Sequence, residues 1–310
     1  MAAAVLVPGV RRLTETDINV YHVNNGHAHE GLLRATAKQQ GVKLTGTLVT
    51  CSGCVQAKGR RASVPTTTLS RMEHQLQRVF ADLAGPRNIA SAGGGLYLIL
   101  FKDDATRMGW LYPLKSKSAV DVAAATKKFL ADVGGDVKCF RTDNGAEFVN
   151  ETFGRLCSDK AIRHEHTGVD GPKHNGVVER GLGLMQEGGM AACLEAPRLF
   201  PGQLPNLDRY WVEAAVYMND CLNTTATKAN ADWKSPYEMY FGRLPPANNL
   251  AFMQPGFRRI HRTHKSEPKA EKCFYLNRGR NHPRDCVKVV TSSGQTSDTR
   301  DVTWEAKRTP

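Results

Sequence analysis

The sequence predicts an α/β protein: a mixed five-stranded sheet with flanking helices, a small His/Cys-bearing unit before it and a small antiparallel β unit after it. Three observations predict this. Between residues 76 and 196, apolar runs of strand length alternate with helical periodicity in the order β-β-β-α-β-α-β-α. Hairpins come first and crossovers later, which implies mixed pairing. Ahead of that stretch, two histidines and a close-set cysteine pair occupy a segment too short for a core of its own. From about residue 232 onward, short strands alternate with polar, Gly- and Pro-bearing turns.

The elements follow in chain order. Residues 1–18 read as an N-terminal extension. "MAAAVLVPGV" lacks the positive start of a signal peptide, and Pro8 interrupts its short apolar run. In the unit spanning 19–62, "NVYHVNNGHAHEGLLRATAKQQGV" reads as a His-bearing loop entering a helix near 29–40, ended by Gly41. "TCSGC" follows, then the basic, polar "QAKGRRASVPTTTLSR", whose later part opens a linker over 63–75.

The core, 76–245, begins with strands in "LQRVFADLAG", "GLYLILFKDD" and "MGWLYPL", with a turn around Ala105–Arg107. "SAVDVAAATKKFLADV" is a helix capped by Ser118, with Val120, Ala123, Ala124, Phe129, Leu130 and Val133 expected on one face. "DVKCFRTD" is a fourth strand, "NETFGRLCSD" a helix capped by Asn150, and "AIRHEHT" a fifth strand. "HNGVVERGLGLMQEGGMAACLEA" is a long helix despite its glycines. "LDRYWVEAAVYMNDCLN" adds an amphipathic helix with Trp211, Ala214, Ala215, Met218, Cys221 and Leu222 on its stripe. "KSPYEMYFGRLPP" is a short helix broken by prolines. Within 246–310, "KCFYL", "CVKVVT" and "TRDVTW" are strands of the basic β unit, where Phe274 and Trp304 read as core.

Bulk properties bound the function. The chain has 310 residues and a formal charge of +12, which favours a polyanionic partner, nucleic acid before an anionic membrane. Residues 251–310 hold 13 Lys and Arg against 6 Asp and Glu, so most of the surplus lies in the last sixty residues. No run approaches the roughly 20 apolar residues of a membrane span. Of 8 cysteines only Cys51 and Cys54 are close-set, which excludes a dense secreted disulfide framework and implies a reducing compartment.

Two constellations carry chemistry. His22 and His27 form H-x4-H, and Cys51 and Cys54 form C-x2-C after a gap of 23 residues. Zn²⁺ takes four tetrahedral N and S ligands, and a C-x2-C turn supplies two thiolates at once. His29 is a spare candidate. The second set is Asp82 on the first strand, Asp143 closing the fourth, and Glu179 on the long helix, with 60 and 35 residues between them. Adjacent strands and a helix laid on them can bring the three together. Such acids repel unless cations neutralise them, and hard oxygen donors suit Mg²⁺ or Mn²⁺. Taken singly, each acid reads equally well otherwise: Asp82 as a strand-end acid, Asp143 as an Asp-Asn-Gly turn, Glu179 as a solvated helix residue. Only the joint spacing points to a metal site. Glu147 is placed outside it. Asp103, Asp104 and Arg107 read as a turn with an ion pair.

The set "FADLAGP", "KDDATR", "RTDNGAEF", "PKHNGVVERG" and "KSPYEMYFGR" resembles the integrase region of copia-type LTR retrotransposon polyproteins, over nearly the whole chain from about Asn19 to Trp304. The resemblance implies a ribonuclease-H-like core with Asp82, Asp143 and Glu179 as catalytic divalent-metal ligands. It implies a zinc unit on His22, His27, Cys51 and Cys54. It implies joining of element DNA 3′ ends to double-stranded target DNA by a two-metal transesterification, a homo-oligomer, and a nuclear protein with a cytoplasmic phase. Asn175, which also reads as a helix cap, and Lys173 and Arg180 are candidate DNA contacts. Lys58, Arg60 and Arg61 read equally as phosphate contacts and as a solvated linker. Tyr21, Phe80, Ala146 and Lys173 depart from the family's usual residues; none removes a ligand. A non-catalytic DNA-binding derivative, a hydrolytic nuclease and a zinc scaffold share parts of the pattern. The intact acids favour an enzyme, and the zinc unit with the basic tail favours integration over hydrolysis.

Overall fold

The structure is a computed structural model; it describes residues 14–25, 27–51, 54, 71–166, 175–202, 204–246, 250–262, 264–279 and 285–305. The chain divides into two compact units, Met1–Thr66 and Thr67–Pro310.

In the first unit, strand β1 (Thr14–Asp17) pairs in parallel with β2 (Val42–Thr45) around helices α1 (Ile18–Asn24) and α2 (Glu30–Gln40). Helix α2 matches the expectation, and Gly41 ends it in the left-handed region at φ 69°, where glycine carries no Cβ penalty. The segment expected as a His-bearing loop is partly helix. Asp17 caps α1 by accepting from the backbone N–H groups of Asn19 and Val20, and α1 carries His22. Ile18, Tyr21, Leu33 and Ala37 form its small core.

The second unit contains a sheet of order β5-β4-β3-β6-β7. Its strands are β3 (Val79–Ala84), β4 (Tyr97–Asp103), β5 (Gly109–Leu114), β6 (Cys139–Thr142) and β7 (Arg163–His166). β3 to β5 are antiparallel, and β6 and β7 run parallel to β3, so the sheet is mixed as expected. Helices α3 (Ala119–Asp132) and α4 (Glu151–Asp159) cover one face. There Val79, Ala81, Ile99, Phe101 and Phe140 meet Val122, Phe129 and Phe153. Helices α5 (Gly176–Leu199) and α6 (Trp211–Thr224) cover the other, where Phe80, Leu98 and Leu100 meet Val178, Leu182 and Val216. Ser118 and Asn150 cap α3 and α4 as expected. The turn after β4 is built on acids: Asp103 accepts from the N–H of Leu76 and of Thr106 and from the Thr106 hydroxyl, and Arg107 pairs with Asp104 at 2.7 Å.

Two helix faces differ from expectation. On α3 the buried set is Val122, Ala123, Ala125, Thr126 and Phe129, while Val120 is 70% exposed and Ala124 is also exposed. The stripe sits nearer Val122 because Thr126 joins it, returning its hydroxyl to the Val122 carbonyl at 2.8 Å. On α6 there is no single stripe. Val212, Ala215 and Val216 face the sheet, while Ala214 joins Phe252, Phe274, Leu276 and Val290 in a further core. That core holds the last sheet, all antiparallel, of order β11-β10-β9-β8-β12. Its strands are β8 (Pro255–Arg259), β9 (Ala270–Arg278), β10 (Val287–Thr291), β11 (Thr296–Thr299) and β12 (Val302–Trp304). β8 and β11 lay outside the sequence expectation. Helix α7 (Pro236–Phe241) is capped by Ser235. Phe274 is buried as expected, and Trp304 is half-buried with its ring edge-on to Tyr275 at 5.7 Å.

The glycines of α5 divide into two kinds. A Cβ at Gly189 would stand 3.1–3.2 Å from backbone atoms of Ala214 and Ala215 on α6, whereas one at Gly183 would meet nothing within 4 Å. Gly189→Val is expected to push α6 away and lower stability by about 1–3 kcal/mol. Gly183→Ala is expected to raise it by roughly 0.5–1 kcal/mol. Urea unfolding of both variants checks the contrast.

Candidate active site and metal centre

In a strand, alternate residues share a face, so Asp82 points the same way as Phe80, toward the side covered by α5. The parallel register pairs Phe80 with Arg141. Continued two residues further, that register would bring Asp82 level with Asp143, just past the end of β6. Asp143 is also the turn it resembles, because its Oδ1 accepts from the Gly145 N–H at 3.0 Å. The start of α5 lies against β3, where Asn175 Nδ2 donates to the Ala81 carbonyl at 3.4 Å. Glu179 follows one turn later, exposed on α5.

Electrostatics join the three acids. Burial raises the Asp82 carboxyl to about 7, a hydrogen bond from the Leu83 N–H pulls it back, and Asp143, Glu179 and Glu147 each add to the rise. Asp82 therefore feels the negative charge of both other acids of the set. Glu147 contributes to the same field, although the sequence reading placed it outside the site. Its carboxylate lies over Gly145, where a Cβ would meet it at 2.7 Å. That close approach is invisible in sequence.

The remaining candidates fare differently. Asn175 is 1% exposed, makes no side-chain cap hydrogen bond, and has a buried Oδ1 with no partner among the described residues. The cap expectation is therefore corrected: the amide is spent on β3. Arg180 is exposed on α5. Lys58, Arg60, Arg61 and Lys173 lie outside the described residues.

In the first unit, His22, His27, Cys51 and Cys54 place their ligand atoms within 4.8 Å of one another. Among the described residues no other group of His, Cys, Asp or Glu closes in this way, and the acidic set does not. His22 Nδ1 bonds the Ala28 carbonyl at 2.9 Å, which fixes the ring and turns Nε2 toward Cys54 Sγ at 3.3 Å. His27 Nδ1 stands 3.3 Å from His22 Nε2 and 3.5 Å from Cys51 Sγ. A tetrahedron with Zn–N and Zn–S bonds of about 2.0–2.3 Å requires ligand separations of about 3.5 Å, so these residues fit Zn²⁺. A hydrogen bond from the Cys54 backbone, with others from His22 and His27, brings the Cys51 thiol down to about 6, toward the thiolate a metal takes. His29 caps α2 instead, accepting from the Gly31 N–H at 3.0 Å.

With this geometry in view, residues 72–172 match the family described as Integrase core domain. The chain is 37% identical over 172 residues to the retrovirus-related Pol polyprotein from transposon TNT 1-94 of Nicotiana tabacum, covering 54% of this chain and 13% of that one. It is 26% identical over 268 residues to the Pol polyprotein from transposon RE1 of Arabidopsis thaliana, covering 83% of this chain and 17% of that one. The chain thus spans under a fifth of the length of these relatives. A chain from the solved simian T-cell lymphotropic virus intasome in complex with PP2A regulatory subunit B56 gamma superposes with a TM-score of 0.51 at 14% identity, over 94% of this chain and 99% of that one. At that identity the likeness concerns the fold. Residues 72–172 are thus similar in sequence to integrase cores, and the fold resembles that of the solved intasome chain. Over the matched stretches the chain is similar to Pol polyproteins of transposons.

Two measurements test the site. The folded value of Asp82 lies above its ordinary one, so without metal the folded state holds its proton longer than the unfolded chain. Stability is therefore expected to fall as pH rises from about 4 to about 7. Asp82→Asn should flatten that fall in thermal melts made in chelator. Stripping zinc should unfold residues 14–51, seen as lost amide-exchange protection, while β3 to β7 stay protected.

Proposed function

We propose that this chain is the integrase of a retroelement, joining element DNA 3′ ends to target DNA by transesterification. One observation carries the proposal: Asp143, Glu179 and Glu147 each add to the rise of the Asp82 carboxyl that burial begins. The integrase core match and the basic surplus support it.

The acids suit Mg²⁺ or Mn²⁺ by type, since carboxylates supply hard oxygen donors and a negative charge that favours divalent cations, although their oxygens do not converge in the way the His and Cys ligand atoms do. Asp82, Asp143 and Glu179 would hold the cations. When bound, a cation pair supplies charge neutralisation, activation of the attacking hydroxyl and stabilisation of the departing oxygen. The chain's own part is positional. The Gly145 N–H orients the Asp143 carboxylate, and Asp82 on β3 and Glu179 on α5 are proposed to complete the set. The nucleophile is a DNA 3′-hydroxyl, or water in an end-trimming step.

The His/Cys unit is proposed to carry structural Zn²⁺. Double-stranded DNA is the proposed partner, and joining two ends calls for at least two copies of the chain. A nuclear site of action with a cytoplasmic phase follows from that substrate. No helix among the described residues is long and apolar enough to cross a membrane.

A strand-transfer assay with Mn²⁺ and a short duplex mimicking an element end tests the reading. The wild type should join DNA, and Asp143→Asn should reduce joining at least 100-fold, the order expected when transition-state charge stabilisation is removed. Equal rates would leave a DNA-binding derivative. Removing residues 251–310 should flatten the salt dependence of DNA binding, because fewer phosphates are neutralised.

A further inference from the structure

Lys102 lies on β4, and the antiparallel register sets it opposite Phe80, with Leu100 opposite Asp82. It therefore shares the α5-covered face with Asp82, displaced by two residues, or about 7 Å along the strand. Helix α5 makes room for it. A Cβ at Gly181 would stand 3.2 Å from the Lys102 ammonium and 2.9 Å from Leu100 Cδ2. The ammonium is half-buried, and among the described residues no hydrogen bond or ion pair reaches it.

The neighbouring basic residues are accounted for. Arg107 pairs with Asp104 at 2.7 Å, and Arg141 pairs with Glu165 at 2.7 Å. Arg78 pairs with Asp104 at 2.5 Å. Among the described residues Lys102 has no such partner. Burial brings its ammonium down to about 8, and the charges acting on it are the positive ones of Arg107 and Arg180. A desolvated cation among cations is costly to keep, and an anion arriving there would relieve the cost.

We propose that Lys102, with Arg180 beside it, is a phosphate subsite that grips a DNA backbone phosphate flanking the one attacked at the acids. The inference rests on the integrase reading and adds a specific contact to it. The displacement of about 7 Å is of the order of the distance between neighbouring phosphates of one strand. Cation and acid then divide the work on one face: Lys102 and Arg180 hold the strand by a phosphate that does not react, and the acids act on the one that does. Arg180 meets the solvent side of the strand, and Lys102 meets it from the sheet.

The test measures binding of a short duplex DNA by fluorescence anisotropy at salt from about 50 to 200 mM, with thermal melts alongside. Lys102→Met should melt at or above the wild-type temperature, because an unpaired half-buried charge is gone. Its log–log salt slope should fall by about 1, and its affinity at low salt by roughly 5- to 10-fold. Lys102→Arg should restore the slope. Lys102→Gln serves if the Met variant folds poorly, with the same expectation. A folded Met or Gln variant with wild-type slope and affinity overturns the inference, and failure of both to fold overturns it by making Lys102 structural. A wild-type chain without salt-dependent DNA affinity overturns the integrase reading first, and this one with it.

Discussion

The parallel pairing of β3 with β6 is the constraint on which the site depends. In parallel register, paired residues point to the same face, so the acid two residues beyond Phe80 and the acid two residues beyond Arg141 emerge together. A slip of one residue in β3 would send Asp82 into the core formed with α3 and α4 and bring Ala81 to the site. That slip is blocked by the core itself. Val79 and Ala81 pack with Phe101 and Phe140 on one side, and Phe80 packs with Leu100 and Val178 on the other. The face on which Asp82 emerges is thus maintained by apolar burial on both sides of a short strand.

The same face divides into an acidic end and a neutralised middle, with Phe80 between them. Arg78 and Arg141 lie over the Phe80 ring at 5.7 and 5.9 Å, and both are engaged by Asp104 or Glu165. Charges there cancel locally, so they do little to relieve the repulsion felt by Asp82. Phe80, one of the departures from the family's usual residues, is an apolar wall beside Asp82. Its burial excludes water from that side, in keeping with burial as the largest cause of the raised Asp82 value. A histidine in its place would offer a titratable, hydrogen-bonding edge instead.

Much of this was legible in the sequence, for identifiable reasons. Strands buried on both faces read as continuous apolar runs, as in "LYLILF", and Ser118 and Asn150 announce helix starts through their own hydrogen bonds. The His/Cys spacing was legible because a metal site restricts the residue types that serve it. What stayed hidden depends on partners distant in the chain. Helix α6 shows no clean stripe because it is buried on two sides, and Asn219 and Asn223 are buried on it to hold the Gly109 peptide at 3.1 and 2.8 Å. Strands β8 and β11 stayed hidden because "PGFRR" and "TSDT" hold almost no apolar residues to mark a buried face. The Asn175 amide had a local reading as a cap, and a tertiary contact with β3 overrode it.

Helix α5 shows how the chain trades helix propensity for placement. Five glycines in 24 residues weaken a helix, since each costs roughly 1 kcal/mol against alanine. Yet the helix touches a sheet beneath it and a second helix beside it while carrying Glu179 in its first turn. At Gly181 the missing side chain lets the helix rest on Leu100 and Lys102, and at Gly188 and Gly189 it lets Met218, Ala214 and Ala215 come into contact. Close approach on two sides fixes both the height and the rotation of α5, which a looser leucine-filled seam would not. A carboxylate on a helix positioned this way arrives at the site with its backbone already fixed. The propensity lost along α5 is offset by packing that sets where Glu179 stands.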